Sequence, residues 1–184
     1  MITKVGIIGY GKMGRIRREA LSKHKDFEVV SIFDPADIKS DIHKANSAQQ
    51  IIEDLSINVV YICTPNYLNK SLTIDSLNAG KHVFCEKPPA FTSEDVQEIM
   101  HVEKKSKKVL MYGFNHRHHG SIKEMKRLVN SNEYGKILWM RGRYGKSVDS
   151  EFANNWRSKA KYSGGGILID QGIHMIDLFL HLSD

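Results

Sequence analysis

Gly9-Tyr10-Gly11-Lys12-Met13-Gly14 closes a short apolar run, Val5–Ile8, and leads at once into a basic, helix-favouring segment. A strand, a tight turn and a helix N-terminus in that order are the parts of a dinucleotide-phosphate site. Gly9 allows the turn, Gly11 lets a pyrophosphate approach the backbone, and Gly14 lets helix and strand pack closely. The N–H groups of Lys12, Met13 and Gly14, with the positive end of the helix dipole, then favour an anion. Asp34 follows Gly14 by 20 residues, at the end of the β-branched and aromatic stretch Phe27–Phe33. That is the offset at which an acidic side chain reaches the adenosine ribose. A ligand-free βαβ unit is the alternative, and the register of strand, turn, helix, strand and acid argues against it. A second set is Asp170 with His174, spaced i and i+4 on one face of an expected helix, with Asp177 a turn further on. An imidazole titrates near neutral pH, and a nearby carboxylate orients it or stabilises its protonated form. The same spacing also suits a polar stripe on a surface helix. A metal site would need a further clustered ligand, and none is evident.

The elements that must hold these residues alternate. Helix is expected over Met13–Lys25, Ala48–Leu55, Tyr67–Ala79 (closed by Gly80) and from a Ser93 cap to about Lys107. Strands are expected at Phe27–Phe33, Val59–Cys63, His82–Cys85 and Val109–Tyr112, with Pro35–Lys44 an irregular or short helical connection. Strand and helix in alternation predict an α/β fold, a doubly wound parallel sheet of the Rossmann type covered on both faces. Ligands of such sheets sit beyond the carboxyl ends of the strands. The segments to watch are therefore Gly9–Gly14, Asp34, Cys63–Asn66, Cys85–Pro88 and Gly113–His119. After Asn115 the pattern changes to an amphipathic helix (Ile122–Asn130), a turn at Gly135, a strand (Ile137–Tyr144), a polar loop, and an apolar helix from Ile167 to about Leu182. The reading is a dinucleotide-binding domain, 1–118, followed by part of an α+β domain, 119–184.

Composition excludes several classes. The net charge of +6 comes partly from Lys104, Lys105, Lys107 and Lys108, at a helix C-terminus where cations complement the dipole. No aromatic residues interleave with them, so nucleic acid is not an expected partner, and an anionic small molecule suits the charge as well. No uninterrupted apolar run approaches a membrane span, and Val5–Ile8 is too short for a secretory signal. Cys63 and Cys85 each end an expected buried strand and read as free thiols in a reducing, cytoplasmic setting. The three histidines of His116-Arg117-His118-His119 fan out from consecutive positions and do not converge on one ion.

Four ordered motifs now stand together: the glycine loop with Asp34, Cys-Thr-Pro-Asn at 63–66, Glu-Lys-Pro at 86–88, and Gly-Gly-Gly-x3-Asp-x-Gly-x-His-x2-Asp at 164–177. Across essentially its whole length the chain resembles the Gfo/Idh/MocA family of nicotinamide-dependent oxidoreductases. The resemblance implies hydride transfer between a nicotinamide cofactor and a carbinol of a sugar, inositol or sugar nucleotide; Asp34, with no arginine beside it to hold a 2′-phosphate, favours NAD over NADP, and a homo-oligomer is expected. The resemblance places the cofactor on Gly9, Gly11, Lys12, Met13, Gly14, Asp34, Thr64, Pro65, Asn66, Glu86 and Lys87. It puts Lys87 beside the nicotinamide and makes Asp170 and His174 the acid/base pair. Read alone, Lys87 is either a solvated loop lysine or a group that hydrogen-bonds the reacting oxygen and relays its proton. The resemblance also assigns Arg117, Trp156 and Arg157, with Asp170 and His174, to the substrate, since a planar guanidinium suits carboxylate or phosphate. Either arginine equally suits a surface ion pair. No metal is implied.

One departure is expected to matter. Members of the family are longer, and their substrate domain carries a large open sheet to which only Ile137–Tyr144 belongs here. The chain therefore reads as truncated: a binder of NAD, a weak or inactive catalyst, and a chain that hides the apolar terminal helix by dimerising or leaves that segment mobile. A non-catalytic sensor or interaction protein that keeps the fold is the alternative, and the retention of Lys87 and His174 argues against it.

Overall fold

The computed structural model describes residues 2–145, 147 and 150–184, and the chain divides into two compact units, Met1–Gly113 and Phe114–Asp184. Among the described residues of the first unit, six strands form one parallel sheet: β1 (Thr3–Ile8), β2 (Phe27–Phe33), β3 (His43–Lys44), β4 (Val59–Ile62), β5 (His82–Cys85) and β6 (Leu110–Tyr112). Their order is β3-β2-β1-β4-β5-β6. Helices α1 (Lys12–Ser22), α2 (Ala48–Glu53), α3 (Asn69–Asn78) and α4 (Ser93–Ser106) make the crossovers.

The short apolar runs become strands because both faces of the sheet are covered. Side chains alternate across a strand, so Ile8, Val60, Ile62, Val83 and Cys85 pack with Ile51 and Ile52 of α2 and Leu77 of α3. Val5, Ile7, Tyr10 and Ile32 take the opposite face with Leu21 of α1. Each such burial is worth about 1.5–3 kcal/mol, and a one-residue slip would exchange the faces. β1 lies between β2 and β4, so the chain winds outward in opposite directions from it. The crevice of a doubly wound sheet opens at that point, beyond Ile8, Phe33 and Ile62.

Several expectations are corrected. Pro35–Lys44 is neither fully irregular nor helical, since His43 and Lys44 pair with Ser31 and Ile32 as an edge strand. Thr92, not Ser93, caps α4: its hydroxyl accepts from Asp95 N at 3.1 Å. The helix expected from Tyr67 starts with a 3-10 turn, Asn66–Leu68, before α3.

The second unit is helical: α5 (Gly120–Asn130), α6 (Ala160–Ser163) and α7 (Ile173–Ser183), with short 3-10 turns at Asn115–His118, Ser150–Asn154 and Trp156–Ser158. The expected strand Ile137–Tyr144 is absent. Its residues carry no ladder, and a strand without a neighbour leaves its backbone groups to water. The segment runs against α7, where a Cβ on Gly142 would fall 1.9 Å from Met175 Cε. The apolar helix expected from Ile167 is interrupted by a wide π turn, Leu168–Gly172, before α7 proper. α7 buries His174, Asp177, Leu178 and Leu182 and exposes Ile176 and Leu180.

Candidate functional site

Gly9 has φ +88°, and a Cβ there would lie 2.6 Å from the carbonyl oxygen of Cys63, so geometry and space both demand glycine. A Cβ on Gly14 would fall 2.2 Å from Gly9 O. That closeness holds the start of α1 against the end of β1. At Gly11 the situation is the reverse: a Cβ would meet nothing within 4 Å. Gly11 is also the N-cap of α1, without a side-chain cap and without an acidic residue in the first turn. Neither the cap nor the first turn supplies an anion to the first-turn N–H groups, an arrangement that fits a phosphate.

Asp34 is tied to this turn. Its Oδ2 accepts from Tyr10 N at 2.7 Å and its Oδ1 from Ala36 N at 2.9 Å. A carboxylate has about four acceptor sites, so both oxygens keep capacity for ribose hydroxyls. The residues present fit a dinucleotide at this end of the sheet.

The ends of β4 and β5 are joined through a residue that the sequence did not single out. Asn69, the first residue of α3, is fully buried. Its Nδ2 donates to Glu86 O at 3.0 Å and to Pro88 O at 2.8 Å, while its Oδ1 accepts from Thr64 Oγ1 at 3.2 Å. Lys87 lies between those two carbonyls, with a cis peptide to Pro88. Glu86 was expected on the cofactor, but its carboxylate is engaged elsewhere: Arg17 Nε of α1 donates to Oε1 at 2.7 Å, and the guanidinium covers the Phe84 ring at 4.8 Å. Glu86 is 8% exposed, and its charge is balanced by this one guanidinium. Burial disfavours the thiolate at both cysteines. Burial, reinforced by the Glu86 charge, pushes the Cys63 thiol far up, and burial pushes Cys85 up to about 12.

In the second unit the reactive side chains gather around α7. The His174 ring is buried and stacks on His116 at 4.2 Å and 21° between planes; Phe114 meets it edge-on at 6.1 Å, and Tyr144 lies 6.3 Å away. His116 also stands 5.3 Å from His119. His116 and Tyr144 are therefore neighbours of His174 that spacing did not reveal. Arg117 was expected on the substrate, but it forks onto Asp177, with Nε to Oδ2 at 2.8 Å and a second bond at 2.5 Å. Two of its five N–H donors are used, and the side chain stays 41% exposed. Asp170 sits on the π turn, where Gln171 Nε2 donates to it at 2.8 Å. Arg157 lies over the Trp156 ring at 4.4 Å, an intact cation–π pair. No group of three metal-ligating side chains occurs among the described residues. No helix among them is long and apolar enough to cross a membrane.

The signal for Asn69 was present in α3. Asn69, Thr73, Ser76 and Leu77 are its buried residues, so this helix turns a largely polar stripe inward. Hydrophobic periodicity misses such a face.

Comparison with known proteins agrees with this geometry. Residues 3–114 match the family model described as "Oxidoreductase family, NAD-binding Rossmann fold", and residues 122–184 match the "GFO/IDH/MocA C-terminal domain". Levoglucosan dehydrogenase of Pseudarthrobacter phenanthrenivorans is 35% identical over 136 residues, which are 73% of this chain and 35% of that protein. Among solved structures, myo-inositol 2-dehydrogenase of Lactobacillus plantarum superposes with a TM-score of 0.88 at 27% identity, covering 100% of this chain and 57% of the other. A levoglucosan dehydrogenase in complex with NADH and levoglucosan gives 0.86 at 26% identity, over 99% and 54%. The chain spans about half the length of the curated relatives matched along most of it. With models for both parts matched in order, the chain belongs to the Gfo/Idh/MocA oxidoreductase family.

Proposed function

We propose that this chain carries the cofactor site and the proton-handling residues of an NAD-dependent oxidoreductase acting on a carbinol of a sugar, inositol or sugar nucleotide. The observation that carries the reading is the turn Gly9–Gly14, which opens on the uncapped N-terminus of α1 with Asp34 pinned beside it through Tyr10 N. Relatives named as levoglucosan, glucoside, glucose-6-phosphate and inositol dehydrogenases support a sugar or inositol as the substrate. Gly11, Lys12, Met13 and Gly14 would hold the pyrophosphate, Asp34 the adenosine ribose, and Thr64, Pro65, Asn66 and the Glu86–Lys87 backbone the remainder. Bound NAD would supply the hydride acceptor. Removal of a hydride from a carbinol leaves positive character on carbon unless the hydroxyl proton departs, so a base must face that oxygen. Lys87 and His174 are the groups that take or relay this proton, with Asp170 orienting the imidazole. Arg117, Trp156 and Arg157 hold polar groups of the substrate, Arg117 through the donors that Asp177 leaves unused.

The test is a panel of sugars, inositols and sugar nucleotides with NAD, run on this chain and on the longer protein wherever it occurs within one. Lys87→Ala or His174→Ala in an active protein should lower turnover by about 10²-fold or more while NAD affinity stays within a few fold, because such groups act in the transition state. Failure of NAD to bind would overturn the cofactor site, and near wild-type turnover in either variant would remove that residue from the mechanism.

A further inference from the structure

We infer that Asn69 is the positioning residue for Lys87 and couples that lysine to the Thr64–Asn66 loop. The inference rests on the reading of Lys87 and this loop given above. The carbonyls that Asn69 holds, Glu86 O and Pro88 O, lie on either side of Lys87, so one carboxamide brackets the lysine's backbone from within the core. Its other end accepts from the Thr64 hydroxyl, on the loop that follows β4. The amide has only one consistent orientation: turned over, its oxygen would face two carbonyl oxygens. Three bonds on a side chain with no exposed surface leave it no freedom of its own. A displacement of Thr64 by a ligand is thereby transmitted to the strand end that carries the lysine. The neighbouring clamp is separate, since Arg17 fixes the Glu86 side chain and does not reach these carbonyls through any bond described. Asn69 itself holds backbone, and its effect on chemistry runs through Lys87.

Lysine-resolved competitive acylation, read by mass spectrometry with and without NAD, tests this on the chain as it stands, because every other lysine serves as an internal control. Asn69→Asp keeps the shape but turns an acceptor toward both carbonyls, and Asn69→Ala removes the bracket. Both should change the reactivity of Lys87 relative to the other lysines by about fivefold or more, the factor corresponding to one lost hydrogen bond. Both should also abolish the change in Lys87 reactivity that NAD produces in the wild type. Thr64→Val, which deletes only the hydroxyl donor, should shift Lys87 in the same direction by less. Unchanged Lys87 reactivity in folded Asn69 variants overturns the inference. If those variants do not fold, Thr64→Val decides: a shift confined to Lys87 supports the coupling, and none overturns it. The reading of the cofactor site fails on a different result, the absence of NAD binding to the wild type. In that case the ligand-free comparison still decides whether Asn69 sets Lys87.

Discussion

Gly11→Ala and Gly14→Ala are the same chemical change three positions apart, and the structure predicts opposite consequences. At Gly14 the new methyl would sit 2.2 Å from a backbone oxygen, Gly9 O. Ordinary contact is at least about 1.2 Å longer, so α1 must back away from β1. Overpacking of this kind costs about 1–3 kcal/mol, partly offset by about 1 kcal/mol of helix propensity gained over glycine. The net cost of up to about 2 kcal/mol should lower the melting temperature by up to about 8 °C, at about 2–4 °C per kcal/mol for a chain of this size. At Gly11 the methyl meets nothing within 4 Å, and the only cost is a poorer N-cap, about 0.5 kcal/mol. A methyl at this N-cap would nevertheless stand against a pyrophosphate brought onto the first-turn N–H groups. Loss of even one charge-assisted bond, about 1.5–3 kcal/mol, lowers NAD affinity about 10- to 100-fold. Calorimetric melting and isothermal titration with NAD separate the two. A Gly11→Ala protein that melts like wild type and binds NAD with wild-type affinity would refute the placement of the pyrophosphate. One that melts below Gly14→Ala would refute the packing argument.

Two further outcomes follow from the same geometry. NAD should bind more tightly than NADP, since a 2′-phosphate would approach the Asp34 carboxylate while the adjacent Ala36 N–H is already committed to it. Asp34→Ala should narrow the difference, and parallel titrations that favour NADP in the wild type would reverse the assignment. Stability should also decline in alkali. Burial raises the Cys63, Cys85, Tyr61 and Tyr112 ionisations, Cys85 from 9.0 to about 12, so these groups stay protonated in the fold and ionise first in the unfolded chain. The folded state then binds more protons, and the stability is lost as pH rises above 9.0 for the cysteines and 10.0 for the tyrosines, at about 1.4 kcal/mol per pH unit for each group. Cys85→Ala should make that decline shallower in denaturant titrations between pH 8 and 11; an unchanged slope would count against burial as the cause.

The first unit was legible from local signals, because each of its elements is announced by its own residues. A glycine turn between apolar run and basic helix, an acid 20 residues on, and short β-branched runs with proline or glycine at their ends are decided within a few positions. β2 and β5 occur where the pattern placed them, at Phe27–Phe33 and His82–Cys85. The family could likewise be read from ordered motifs, since their residue types and spacings lie in the chain itself. What the chain order could not decide is which partner each polar group takes. Glu86 goes to Arg17, 69 residues away, and Arg117 to Asp177, 60 residues away, so two side chains read as ligand-facing are engaged within the protein. Asn69 looked like one more polar residue in a helix, and only the sheet order, which brings β4 beside β5, makes it the link between Thr64 and Lys87. His116 became the neighbour of His174 because the Asn115–His118 turn packs against α7, about 60 residues further along the chain. Ile137–Tyr144 shows the reverse error: its residues favour a strand, but a strand is completed by a ladder partner, and pairing is a property of the tertiary fold. Local propensity and turn chemistry act over a few residues and are written in the sequence, whereas ion pairs, buried hydrogen bonds and strand pairing are settled only when distant segments meet.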